Sequence, residues 1–152
     1  MKRIFPLFIL LFIFLASCNT YKKYEDTNGE NDYQLQEITE DMFISEQHVL
    51  KVAAVSNSTT KDGVTTKTLS VYRFDGVENE CTFKAGTYLI KVFFQVKSGN
   101  ARLALTDGKK IVHEFNVNED NQEYEFTNDT KYYLKLAGEA AELEFKLEVT
   151  KK

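Results

Sequence analysis

Glu142-Leu143-Glu144-Phe145-Lys146-Leu147-Glu148-Val149 is the stretch on which the fold is decided. Leu143, Phe145, Leu147 and Val149 recur at every second position, with charged residues between them. A period of two puts the apolar set on one side of an extended chain and Glu142, Glu144, Lys146 and Glu148 on the other, so the segment reads as a strand with one packed and one wet face. Similar short runs extend back to residue 49, over 49–55, 64–75, 77–83, 87–97, 101–106, 110–117, 122–127, 131–137 and 140–150. The punctuation between them is Asp62-Gly63, Asp75-Gly76, Ala85-Gly86, Ser98-Gly99, Asp107-Gly108, Asn118 to Asn121, Asn128-Asp129 and Gly138-Glu139. Turn signals about every 8 to 12 residues between half-apolar strands predict an all-β fold, an antiparallel β-sandwich of jelly-roll or immunoglobulin-like type. No stretch after the first eighteen residues has a helical period.

Parity assigns side chains to faces. Tyr88, Ile90, Val92, Phe94 and Val96 point inward, leaving Leu89 and Phe93 outward; Tyr133 opposes the inward set Tyr132, Leu134 and Leu136. For the Asp107-Gly108 hairpin, a two-residue turn would split the apolar residues between faces. A three-residue loop with Gly108 left-handed pairs Leu103 with Ile111 and Ala101 with His113, and so predicts one face for Ala101, Leu103, Ile111, His113 and Phe115. His113 on that inward side reads as a packed neutral ring or a rim residue. Cys81 shares an alternating face with Val77 and Phe83 and reads as a buried thiol acting as a small hydrophobe.

Before residue 49 the chain has a different character. Lys2-Arg3, an apolar run from Ile4 to Ala16, and then small residues match the charged, apolar and cleavage regions of a secretory signal. The run is too short to span the roughly 20 apolar residues of a membrane-crossing helix. Its ending, Leu15-Ala16-Ser17-Cys18, resembles the lipobox of bacterial lipoproteins. That resemblance implies that the Cys18 thiol takes a diacylglyceryl group through a thioether, that a signal peptidase cuts before it, and that Cys18 becomes the acylated N-terminus. The expected organisation is a lipoprotein signal peptide over 1–17, a lipidated N-terminus and tether over 18–46, and a β-sandwich domain over 47–152. The tether is polar, but Ile38 and Met42-Phe43-Ile44 are apolar enough for its last third to dock on the domain. Its flexible span is roughly 30 Å, from about 5 to 6 Å times the square root of residue number. The membrane is thus a partner through the anchor on Cys18, and the expected location is the cell membrane or outer envelope on the extracytoplasmic side.

Composition narrows the function classes. The net charge of −4 disfavours nucleic acid and gives no basic patch for anionic lipid. His48, His113 and Cys81 are too few soft ligands for zinc, and the oxygen-rich 26–32 segment lacks the alternate spacing of a calcium loop, so no metal is expected. No phosphate loop, nucleophile elbow or triad context occurs, and neither catalytic residues nor a cofactor is expected. Glu123 and Glu125 lie two apart on what reads as a solvent face. The outward aromatics Phe93 and Tyr133 are the candidates for ligand or partner contact, because an exposed ring can stack on a sugar or anchor a protein. The plainer reading covers Leu89 and Phe93 with the tether or another strand.

Phe74-Asp75-Gly76, Gly86-Thr87-Tyr88 and the closing segment from Tyr132 to Val149 resemble a pattern of small bacterial envelope β-sandwich domains. That resemblance implies a fold type without an activity. The sequence therefore reads as a non-enzymatic, lipid-anchored extracytoplasmic binding or structural module of the bacterial envelope, with an envelope protein or glycan as partner. The alternative is a carbohydrate-binding module, against which the absence of tryptophan counts, and an envelope enzyme comes third.

Overall fold

The computed structural model describes residues 37–44 and 49–152. The leader, Cys18 and the tether up to residue 36 lie outside the described residues. The fold is all-β and antiparallel: the described residues form seven strands, β1 (Val49–Val52), β2 (Val55–Lys61), β3 (Val64–Phe83), β4 (Gly86–Thr106), β5 (Ile111–Phe115), β6 (Glu119–Asn128) and β7 (Tyr132–Lys151), and one short helix, α1 (Glu40–Ile44).

Three strands, β3, β4 and β7, are 20 or 21 residues long and form the centre of the sheet in the order β3-β7-β4. Each is crossed by a bend at the same level. The registers shift between Val71 and Phe74 and between Phe74 and Gly76 on β3, and on either side of Ser98 on β4; Ala140 on β7 takes a φ of 46°. Bulges of this kind kink a strand and increase its twist. The sheet consequently has two halves. In the first the order is β2, the start of β3, the end of β7, the start of β4, and β6; in the second it is the end of β3, the start of β7, the end of β4, and β5, with β1 paired to β3 at the bend itself.

The halves face each other. His113 sits opposite Leu105 and Tyr124 opposite Ile90, fifteen positions apart on β4. A straight strand would separate them by about 50 Å at 3.3 Å per residue. Their rings instead stack at 3.9 Å with planes 4° apart. One apolar cluster fills the space between, including Phe74, Phe83, Phe94, Phe115 and Phe145 with Leu103, Leu134 and Leu143. Each such side chain contributes about 1.5 to 3 kcal/mol on burial. The inward sets read from alternation on β4 and β7 are present: Ile90, Val92, Phe94, Leu134, Leu136, Leu143, Phe145 and Leu147 are buried.

Five expectations need correction. Asp75-Gly76, Ser98-Gly99 and Gly138-Glu139 are not chain reversals but the bends themselves, so 64–83, 86–106 and 132–151 are each continuous. Residues 55–61, which lack apolar alternation, form β2 because the Asp62-Gly63 turn, with φ of 51° and 80°, has the type I′ hand that folds them onto β3. The β4–β5 loop is longer than expected. Asp107 Oδ1 accepts the amides of Lys109 and Lys110 at 2.8 and 2.9 Å, and the pairs become Leu103 with Phe115 and Leu105 with His113. Ile111 then leaves the inner face for a second apolar cluster. A register shift between Asn79 and Cys81 also separates Val77 from Cys81: Val77 joins the outer cluster, whereas Cys81 packs on the core. Finally, a helix does occur after the leader. Thr39 precedes it, Met42 N–H bonds the Thr39 carbonyl at 3.2 Å, and Glu40 and Asp41 supply the acidic first turn that the helix dipole favours.

The docking expected of 37–44 is present. Ile38 and Phe43 are buried on the outer face of the second half with Val77, Ala104 and Ala137. Arg102 clamps them: its guanidinium donates to the Ile38 carbonyl at 2.6 Å, lies 5.3 Å from the Phe43 ring centroid, and is held by Glu114 through two bonds of 2.7 Å. At the β3 side, Lys67 of the first half reaches Glu80 of the second, with 2.5 Å between Nζ and Oε2. Burial pushes the Glu80 carboxyl up, and although Lys67 works in the other direction, neighbouring Glu78 reinforces the rise.

At the bend, Asp75 accepts the Ala140 amide at 2.7 Å and Arg73 Nε at 2.6 Å. Gly99 has a φ of 73°, and a Cβ there would lie 2.3 Å from the Ala140 carbonyl oxygen. Gly99→Ala should therefore lower stability by about 2 to 4 kcal/mol, whereas Gly63→Ala, with open space around it, should cost only the left-handed conformation, about 1 to 2 kcal/mol; equal losses in denaturant titrations would contradict the close approach at the bend. Because the folded Glu80 carboxyl is raised, its stabilising contribution is complete below its unfolded pKa and is lost as pH rises through the folded one. Glu80→Gln should flatten that limb of a Tm-versus-pH curve, and an unchanged slope would place the titration elsewhere.

Candidate functional site

Alternation that buries one face of the first half leaves the other face to solvent, and that outer face is largely polar. Across it, in strand order, stand Val55 on β2, Thr68 and Ser70 on β3, Glu144, Lys146 and Glu148 on β7, Lys91 and Phe93 on β4, and Glu123 on β6. The span is four inter-strand spacings, about 19 Å.

Two hollows meet at Phe93. One, of about 500 Å³, lies between Lys91, Phe93, Asn121, Glu123, Lys146 and Glu148. The other, of about 300 Å³, continues toward β2 between Phe93, Glu144, Lys146, Thr68, Ser70 and Val55. Phe93 is half-buried, with Lys146 directly opposite on β7. The described residues 37–44 lie on the other outer face and do not cover it.

The charges around the ring are held in pairs. Lys91 Nζ lies 2.6 Å from Glu123, Lys146 Nζ 2.8 Å from Glu148, and Lys97 Nζ 2.6 Å from Glu144. The hydrogen bond to Glu123 holds the Lys91 ammonium above its ordinary range, and that from Lys146 holds the Glu148 carboxyl below its own. Exposed pairs like these contribute little stability, about 0 to 1 kcal/mol. Their effect is to fix donors and acceptors in place. An ammonium has three donors and a carboxylate about four lone-pair sites, so each partner keeps capacity for a ligand. The face thus offers one apolar ring set among preplaced hydrogen-bonding groups.

Tyr133 is elsewhere. It is half-buried on the outer face of the second half, paired across strands with Thr82 and Thr106, with Lys135 Nζ 5.9 Å from its ring centroid. The structure therefore does not bring Phe93 and Tyr133 into one site. His113 is a packed ring: it stacks on Tyr124, meets Phe115 edge-on at 4.7 Å, and burial pushes its pKa down. Its neighbour Glu114 is engaged by Arg102. Burial pushes the Cys81 thiol up, the direction that disfavours the thiolate. Among the described residues, no three of His, Cys, Asp and Glu converge as a metal site requires.

Sequence reasoning found Phe93 by parity but missed Ser70, Thr68, Asn121 and Lys146. In one dimension these are ordinary solvent-face residues, and only the register of five strands sets them around one ring.

No protein-family model matches the chain, and a search of curated proteins finds no match. Among solved structures, the chain is similar to the C-terminal CBM6 of LamC, a marine laminarinase from Zobellia galactanivorans. The two are 10% identical, the match covers 69% of this chain and 99% of that one, and the TM-score is 0.34.

Proposed function

We propose that this chain is a lipid-anchored, extracytoplasmic, non-catalytic binding module whose ligand is a glycan laid across the outer face of the first half. The observation that carries this reading is Phe93 itself: a half-buried ring at the junction of two hollows, ringed by Lys91, Lys146, Glu144 and Glu148. A sugar presents an apolar C–H face and a rim of hydroxyls that both donate and accept. The first suits a phenyl ring, and the second suits alternating ammonium and carboxylate groups. A groove this open, at about 19 Å across five strands, fits an extended chain better than a single small molecule. Pairing of the charges leaves no strong field of one sign, which favours a neutral glycan over a polyanion.

The leader supports the anchoring half of the reading. Acyl chains on Cys18 would confine the module near the membrane and raise its effective concentration toward envelope glycans.

In a glycan-array screen followed by calorimetric titration, the chain should bind a neutral oligosaccharide with little dependence on salt. Phe93→Ala should weaken that binding at least tenfold, about 1.4 kcal/mol, without lowering Tm. Enrichment of no glycan, or equal affinity after Phe93→Ala, would remove the proposed ligand face. For the anchor, Cys18→Ala should abolish acyl labelling and detergent-phase partitioning, and unchanged partitioning would mean that the leader is not a lipobox.

A further inference from the structure

The solvent-facing edges of the sheet are not built alike. β6 carries Glu119, Asp120, Glu123 and Glu125; the 77–83 part of β3 carries Glu78 and Glu80; β5 carries Glu114; β1 has only four residues, one of them Lys51. Charge and brevity are the devices that keep an edge from pairing with another chain. β2 is protected least: it runs seven residues, all exposed, its one charge is Lys61 beside the turn, and from Val55 to Thr60 it consists of Val, Ser, Asn and Thr with neither charge nor proline. It pairs with β3 on one side, and among the described residues no strand lies on its other side.

The hairpin determines which backbone groups face that open side. Lys61 pairs with Val64 across the two-residue turn, so Lys61, Thr59, Asn57 and Val55 direct their amides and carbonyls to β3. Ser56, Ser58 and Thr60 direct theirs outward. This outward set is symmetric about Ser58. An antiparallel second copy, related by a twofold axis at Ser58, pairs Ser58 with itself and Ser56 with Thr60, giving about six main-chain hydrogen bonds. No like charges meet in that register. Lys61 lies opposite Val55 of the second copy, and Val55, 72% exposed, offers its stem an apolar partner. Hydroxyl pairs of this kind already occur one strand inward, where Thr60 and Thr65 are 3.0 Å apart.

We propose that β2 is a self-association edge: two copies of this chain pair through antiparallel β2 strands centred on Ser58. An isologous contact of this type closes at two copies. It merges two five-stranded outer faces into one of ten strands, with both Phe93 grooves on the same side. The advantage of two grooves for a repeating polymer rests on the glycan reading above; the pairing itself rests only on the edge. Strand addition buries less than the roughly 1,600 Å² of a standard interface, so the dimer is a weak one that confinement on a membrane would favour.

The test is sedimentation equilibrium of the full chain in density-matched detergent, over a concentration series reaching high micromolar. A reversible monomer–dimer equilibrium is expected. Ser58→Glu sets like charges against each other at the twofold axis while lying beside Lys67 of its own chain, and should weaken association at least tenfold. Ser58→Lys should do the same, and mixing the two variants should restore a dimer. A chain that stays monomeric throughout, or a dimer indifferent to both substitutions, would overturn the proposal. Oligosaccharide titration of each variant keeps the two readings apart. Loss of the dimer with per-site affinity intact leaves the glycan reading standing, while unchanged affinity in Phe93→Ala with the dimer intact removes the glycan reading alone.

Discussion

The close passage of β4 over β7 at Gly99 and Ala140 is the constraint on which the rest depends. Three strands too long for a small flat sheet all yield at one level, and the backbone approaches there more tightly than any side chain permits. Because they bend together, one apolar face is folded against itself and a single sheet acts as both layers of a sandwich. Asp75 is part of the same device: it takes up the Ala140 amide exposed by the irregular backbone, so the bend leaves that donor satisfied.

Folding a sheet over itself creates two outer faces and several edges, and the chain treats each differently. The outer face of the second half is apolar at its centre and is closed by Ile38 and Phe43 under the Arg102 clamp. That of the first half is left wet, with paired charges around Phe93. The β3 edge is closed across the interior by Lys67 and Glu80. Against that background the β2 edge, charged only at Lys61, and the half-buried Phe93 ring among paired charges are departures from the local rule, and such departures are where interaction is to be sought.

The fold class and the core of the closing strand were legible in sequence, because Leu143, Phe145, Leu147 and Val149 need only a period of two to be assigned. The bends were not. Asp75-Gly76, Ser98-Gly99 and Gly138-Glu139 have the composition of turns, and whether glycine reverses a strand or kinks it depends on the partner strand, which sequence spacing does not supply. β2 was illegible for another reason: its residues have no apolar face to betray a period, and it is templated by a turn. The β4–β5 register failed because Asp107 caps two amides and lengthens the loop. Of the candidate site, parity yielded Phe93 as an outward ring. Its neighbours come from five separate strands and become a site only through long-range register.

The clamp on 37–44 also has a mechanical meaning. Residues 38–43 are fixed on the outer face of the second half through the Ile38 carbonyl held by Arg102 and the Phe43 ring beneath the same guanidinium. The segment 38–43 is thus held by one guanidinium and by packing on the sheet, whereas β3, β7 and β4 are held by long ladders. A pull on Ile38 would thus load one hydrogen bond and one packed ring before any ladder of the long strands.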